Sequence, residues 1–485
     1  MRSSPELPAD TPTAPATPIP QPKGLPLVGN LLQLPKGRLM QAILETSRQF
    51  DDGIFQLDFG GRCVPFVYSA ELAGELCDET RFRKLIGPPL SFLRTGVGDG
   101  LFTAHQDEPN WGRAHRILLP AFGQRAMKGY FDVMLEVANA LAGKWTRQGP
   151  DADIVVADDM TRLTLDTISL AGFGYRFDSF QSAQLHPFLE AMVGVLSEAM
   201  GKLTRLPIQD RFMREHHRRY AEDVARMHAL VDEVIRARRQ TGDDGASDLL
   251  GLMLNARDPV TDTPLDDTNI RYQVITFLIA GHETTSGLLT FALYMLLRNP
   301  AVLAQAYAEV DRVLPGDTVP RYAHLAQLDV IERVLKETLR LWPTAPSFGV
   351  APYEDTRIGG RYAIRKDHRV VINLLALHRD RAVWDRPEVF DIDRFLPENE
   401  ARLHPHAYKP FGNGERACIG RQFALTEAKL ALAVILQRFA LSDPYDYAFH
   451  IKETLTLKPD GFRLRARLHT ERERLVAPAA PHADV

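Results

Sequence analysis

The sequence predicts a mainly α-helical domain with a small β part, and three observations carry that prediction. Helical hydrophobic periodicity dominates between residues 25 and 469. Alternating, strand-like stretches are confined to the front (GIFQLDF, CVPFVYS) and the back (HRVVINLLAL, ETLTLKPDGFRLRARL) of that region. One candidate helix, from Asp267 to Arg298, far exceeds the others, with Asp266 and Asp267 supplying N-cap chemistry and Asn299-Pro300 supplying the stop. At 1.5 Å per residue it would run about 48 Å, enough to cross the whole domain.

A chain of 485 residues with 45% hydrophobic composition can bury a large core. Its 25% charged residues and net charge of −4 leave no general nucleic-acid footprint. Three cysteines, Cys63, Cys77 and Cys418, make no disulfide framework and fit a reducing, cytoplasmic setting. No apolar h-region follows the N-terminus, and no apolar run reaches the roughly 18–20 residues of a membrane span, so no membrane anchor is expected. Residues 1–24, rich in Pro, Ala and Thr, are expected to form a disordered leader, and 470–485 a disordered tail or linker stump.

The most specific feature is the run from Phe411 to Gly420, FGNGERACIG, which fills every fixed position of FxxGxRxCxG, with Arg416 and Cys418 at the Arg and Cys places. Glycines at 412, 414 and 420 allow a tight turn whose amides approach the sulfur, and the helical run that follows, RQFALTEAKLALAVILQRF, reads as amphipathic with its positive end toward the thiolate. A buried structural cysteine in a Gly-rich turn is the alternative for an arbitrary Cys; the complete pattern favours a metal ligand. There is no CxxCH and no Cys-x-x-Cys pair, so covalent c-type haem and a zinc ribbon have no support.

This loop resembles the haem-binding signature of the cytochromes P450, and the resemblance extends from about residue 20 to about 468. It implies the cytochrome P450 fold, with the long helix over a haem b whose iron is ligated by Cys418. Within that helix, Ala280-Gly281-His282-Glu283-Thr284-Thr285 interrupts an apolar segment with Gly and polar residues. Read alone, Thr284 bonds back to a carbonyl one turn earlier and Glu283 lies on a solvated face. The resemblance makes them the acid–alcohol pair, with Thr284 positioning oxygen and water and Glu283 feeding a proton relay. Glu337 and Arg340 match ExxR and, by the resemblance, form a structural ion network with Arg394. Trp111 and His115, on one helix face by their spacing, would join Lys84, Phe411 and Arg416 in holding the haem; His115 stands where most relatives carry Arg, with Arg116 adjacent.

Several segments, among them NWGRAHRILLPAFGQRAMKGY and IKETLTLKP, resemble the reductase-fused bacterial fatty-acid hydroxylases of the family. That similarity places Phe102 over the haem and Val97, Ile279, Ala280, Ala345 and Leu455 along an apolar pocket. It gives Arg62 as carboxylate anchor, with Phe66 in place of a Tyr, which removes a hydroxyl donor. The expected activity is hydroxylation of medium- to long-chain fatty acids, mainly subterminal. It uses O2 and electrons from an NADPH-dependent diflavin (FMN/FAD) reductase, either separate or fused. Another apolar substrate, peroxide-driven hydroxylation, and a haem-thiolate sensor or electron carrier without turnover are the alternatives.

Overall fold

The computed structural model describes residues 16–35, 37–181, 186–205, 212–241 and 248–469. The expected tail falls outside these residues, as do the first fifteen of the expected leader. Residues 16–24, also assigned to the leader, are held against the sheet. Thr17 N–H donates to Arg361 O (2.9 Å), Gln56 N–H donates to Pro20 O (2.8 Å), and Ile19 packs on an apolar cluster. Proline supplies carbonyl acceptors without needing donors, which lets this strand-like segment lie along an edge.

The long helix spans Asp267–Arg298, with Asp266 accepting the Asn269 N–H as N-cap. It is almost wholly buried. Its main partner is the helix Val156–Phe173, itself buried over most of its length. Gly281 permits that approach: a Cβ there would stand 2.9 Å from Ile168. The helix runs through Gly281 and Thr284 without a break, so the glycine serves packing rather than a local opening. No single helix among the described residues is long and apolar enough to cross a membrane.

The helix Arg421–Arg438 follows the cysteine loop. It is not amphipathic: from Leu430 to Gln437 every residue is buried, against the helices Gln124–Gln148, Pro300–Val313 and Asp329–Leu341.

Among the described residues twelve short strands form the β part: β1 (Ile54–Asp58), β2 (Cys63–Val67), β3 (Phe82–Lys84), β4 (Ile154–Val155), β5 (Ser347–Pro352), β6 (Thr356–Ile358), β7 (Tyr362–Ile364), β8 (Val370–Asn373), β9 (Phe439–Ser442), β10 (Ile451–Glu453), β11 (Leu457–Pro459) and β12 (Arg463–Leu468). A five-stranded sheet has the order β1-β2-β8-β5-β3, and only β2 and β8 run parallel in it. The stretch read as one strand from His368 to Leu377 yields β8 and then a short helix, Leu374–Leu377.

Between helices and sheet lies the Glu337–Arg340 pair, with no exposed side-chain area on either partner. Arg340 makes two bonds to the Glu337 carboxylate (2.6 and 2.7 Å) and donates further to the carbonyls of His378, Pro387 and Val389. Arg394 Nε lies 3.5 Å from Glu337 Oε1, and Asp391 N–H donates to the same oxygen at 2.9 Å. Removing the guanidinium strands a buried carboxylate. Arg340→Ala is therefore expected to cost about 3–5 kcal/mol. A urea midpoint shift worth less than about 1 kcal/mol would show that the pair is dispensable to the fold.

Candidate haem-thiolate site

Cys418 lies between the loop and the helix Arg421–Arg438, and its N–H donates to Phe411 O (2.8 Å), closing the turn. Gly412 and Gly414 have φ of 78° and 61°, where a side chain is strained, and a Cβ on Gly414 would overlap the Glu79 carboxylate. Gly420 differs from expectation: its φ is −84°, within ordinary range. Its contribution is its amide, which with Arg421 favours the thiolate, against burial that pushes the Cys418 thiol up. The residue nonetheless keeps much accessible surface, so it is not sealed into packed core as a structural cysteine would be.

Two basic residues, Lys84 and Arg416, lie close enough to act on one another beside the loop. Lys84 donates to Phe102 O (2.9 Å), and its ammonium lies 5.1 Å from the centre of the Phe102 ring. Burial, with Arg416 nearby, lowers its pKa to about 7. Arg416 donates to Ala104 O (2.7 Å) and Gln106 Oε1 (3.2 Å), lies 4.6 Å over the Trp111 ring, and is lowered to about 10 by burial. Trp111 in turn stacks on His115 at 5.1 Å. Arg116, the neighbour of His115, is committed elsewhere, in a two-bond pair with Asp258 (2.6 and 2.7 Å). Among the described residues neither Lys84 nor Arg416 forms a hydrogen-bonded ion pair with a carboxylate, although Glu108 and Glu415 act on Arg416 from a distance, so both half-buried side chains keep donors free for an anionic group. Such residues fit a haem, whose iron Cys418 would ligate and whose propionates Lys84 and Arg416 would meet.

The long helix gathers the rest. Leu101 N–H donates to Gln273 Oε1 (2.9 Å), and a Cβ on Gly100 would overlap the Thr276 hydroxyl, so the Phe102 loop is seated directly on that helix. Further along, a Cβ on Gly287 would stand 2.8 Å from Leu457 O, while Leu457 N–H donates to Thr344 O (2.9 Å). These contacts bring the Leu455 and Ala345 segments to the same helix as Ile279 and Ala280. Val97 and Ile279 are buried, Phe102, Ala280 and Leu455 half-buried, and Ala345 exposed.

Thr284 Oγ1 donates to Ala280 O (2.8 Å), the back-bond expected of an ordinary helical Thr. Glu283 is not on a solvated face. Its carboxylate accepts Thr456 Oγ1 (2.9 Å) and Lys458 Nζ (3.1 Å) and lies 3.2 Å from His282 Nε2. Burial pushes this carboxyl up, but Lys458 and His282 outweigh it and hold it well below the usual carboxylate range. Arg62 is exposed in the β1–β2 hairpin. Phe66 is 5% exposed and stacks on Phe55 at 5.5 Å, inside an apolar cluster with Ile43, Leu57 and Val371.

Sequence reasoning did not single out four residues. Lys458 and Thr456, the partners of Glu283, lie in ETLTLKP, where only periodicity and Leu455 drew notice. Glu427 is buried on the helix after Cys418, and burial pushes its carboxyl well above the usual range; its spacing from the cysteine was the available signal. His378 is the fourth. Its Nδ1–H donates to Arg340 O (3.1 Å) and its Nε2 accepts the Lys409 N–H (3.0 Å), which ties the approach to the cysteine loop back to the buried ion pair.

A cysteine loop of this form, beside two basic side chains and in a domain crossed by one long helix, fits a haem-thiolate protein. The family model for cytochrome P450 matches residues 19–465, and the chain belongs to that family. It is 49% identical over 453 residues to bifunctional cytochrome P450/NADPH–P450 reductase 2 of Bacillus subtilis, covering 93% of this chain and 43% of the relative. It is 44% identical over 480 residues to the bifunctional enzyme of Fusarium oxysporum, covering 96% and 44%. The chain thus spans less than half the length of these curated relatives. The crystal structure of the cytochrome P450DA heme domain superposes with a TM-score of 0.91 at 56% identity, covering 95% of this chain and all of the other. Haem is the cofactor of the family, and the residues around Cys418 fit it.

Burial, with Arg340, lowers the His378 ring from 6.5 to about 3, so it is neutral in the fold but protonates near 6.5 when unfolded. Between those values the unfolded state binds more protons, and stability falls as pH drops below about 6.5, by at most about 1.4 kcal/mol per pH unit. Comparing urea midpoints of the chain and His378→Gln from pH 7 to 4 checks this: the stability advantage of His378 should shrink as pH falls. A constant difference would mean that the ring titrates alike in both states.

Proposed function

We propose that the protein is a haem-thiolate monooxygenase that hydroxylates medium- to long-chain fatty acids, mainly at subterminal carbons, with O2 and electrons from an NADPH-dependent diflavin reductase. The observation that carries the reading is that the long helix bearing Ile279, Ala280 and Thr284 receives the segments that carry Phe102, Ala345 and Leu455, with Lys84 bonded to the Phe102 backbone and Arg416 in the Cys418 loop. Bound haem supplies thiolate-ligated iron, whose electron-rich character suits O2 activation over storage. The relatives named as bifunctional with NADPH–P450 reductase support a diflavin donor, joined to this chain or separate. The setting we propose is the cytoplasm, where the chain's three cysteines would stay reduced.

The chain's own groups divide the work. Cys418 is the ligand, and its thiolate is favoured by the Gly420 amide and Arg421. Lys84 and Arg416 orient the cofactor through its carboxylates, with Trp111 and His115 packed behind Arg416. Val97, Phe102, Ile279, Ala280, Ala345 and Leu455 present apolar surface to an alkyl chain and keep water from it. Thr284 holds a hydroxyl proton, now donated to Ala280 O, that could instead be offered to a water in the site. Glu283, ionised in its pairing with Lys458, orders that end of the relay and accepts a proton when Lys458 moves away.

A Soret titration of the ferric haem protein with a saturated long-chain fatty acid is expected to give a saturable low-spin to high-spin shift. No shift beside an intact thiolate-type carbon monoxide spectrum would redirect the search to neutral apolar substrates. Thr284→Ala is expected to lower product formed per NADPH consumed severalfold while leaving that spectrum unchanged; intact coupling would remove Thr284 from the relay.

A further inference from the structure

The acid head of the substrate has lost one donor at the position where resemblance places its anchor, since Phe66 carries no hydroxyl. A different cation stands nearby. Phe66 is in register with Val371, and Val371 with Gly349, so these three positions share one face of the five-stranded sheet. Arg369 precedes Val371 by two residues and falls on the same face. The glycines agree: a Cβ on Gly349 would stand 3.0 Å from Arg369 Nε, and one on Gly87 3.0 Å from its Nη1. The guanidinium therefore lies in a cradle between two residues without side chains.

Its hydrogen bonding is incomplete. Nη1 donates to Pro88 O (2.9 Å), whereas Nε is buried with no acceptor. Among the described residues no carboxylate pairs with Arg369, and burial alone, with no charged neighbour contributing, lowers its pKa. A partly buried guanidinium with spare donors and no counter-ion is costly unless something anionic completes it. The planar fork of Arg suits a carboxylate in particular.

The position fits a chain that runs inward. Pro88 and Pro89 lead into the helix Leu90–Val97, which is eight residues or about 12 Å long. Its far end carries Val97 and is followed by the loop bearing Phe102. Arg369 thus stands at one end of this helix and the apolar residues of the site at the other. Arg62, in contrast, is exposed on a hairpin, where an ion pair is worth little.

We propose that Arg369, in the cradle formed by Gly87 and Gly349, binds the carboxylate of the substrate and sets the preference for acids over neutral chains. The proposal rests on the fatty-acid reading. Its test is a Soret titration of the haem-loaded full chain with a saturated long-chain fatty acid and with the matching primary alcohol. The expected result is tighter binding of the acid by the wild type. Arg369→Leu should weaken the acid about tenfold or more and leave the alcohol and the carbon monoxide spectrum unchanged. Gly87→Ala, which narrows the cradle and spares the guanidinium, should weaken the acid severalfold and serves if Arg369→Leu does not take up haem. If the preference for acid survives in these variants, or is lost only in Arg62→Leu, Arg369 is not the anchor. If the wild type shows no preference for acid over alcohol, the fatty-acid reading itself falls, which is a separate result.

Discussion

The guanidinium of Arg340 is the constraint on which the other parts of the structure depend. It has no exposed surface, and its bonds run to Glu337 on its own helix and to three carbonyls of the segment between His378 and Val389. Its own carbonyl accepts from His378, whose other ring nitrogen accepts the amide of Lys409, nine residues before Cys418. The helix Asp329–Leu341, the strand-rich segment and the cysteine loop are thereby set in one relation. A buried ion pair contributes little net stability compared with an apolar replacement, but breaking it leaves an unpaired charge. That asymmetry favours one arrangement of the loop over its alternatives.

Close backbone approach is the second organising feature. Gly100, Gly281 and Gly287 each lie where a Cβ would collide with a neighbouring element. The long helix can therefore take the Phe102 loop, the helix Val156–Phe173 and β11 at short range. Residues separated by more than 350 positions, from Val97 to Leu455, come to one surface because small residues let these elements touch the same rod.

Charge is distributed unevenly around this surface. Among the described residues Lys84 and Arg416 hydrogen-bond to backbone and amide acceptors and to no carboxylate, and Arg369 to one carbonyl. Glu283 has the opposite condition, with Lys458, Thr456 and His282 all within reach. The cations keep donors that an anionic group on cofactor or substrate would complete. The paired carboxylate is held ionised by Lys458 and His282.

Much of this was legible in the sequence where a function is carried by neighbours in the chain. The bounds of the long helix follow from Asp266 and Asn299-Pro300, because caps and breakers act within one turn. The cysteine loop follows from fixed Gly, Arg and Cys spacing, and the ExxR pair from one helical turn. Tertiary structure alone decided the rest. Glu283 faces Lys458 rather than water, Gly281 serves the approach of Ile168, Phe66 lies within an apolar cluster, and residues 16–24 lie along the sheet. The partners in each case are remote in sequence, and a side chain's environment is set by what packs against it; local periodicity specifies which face of an element is apolar but not what will cover it.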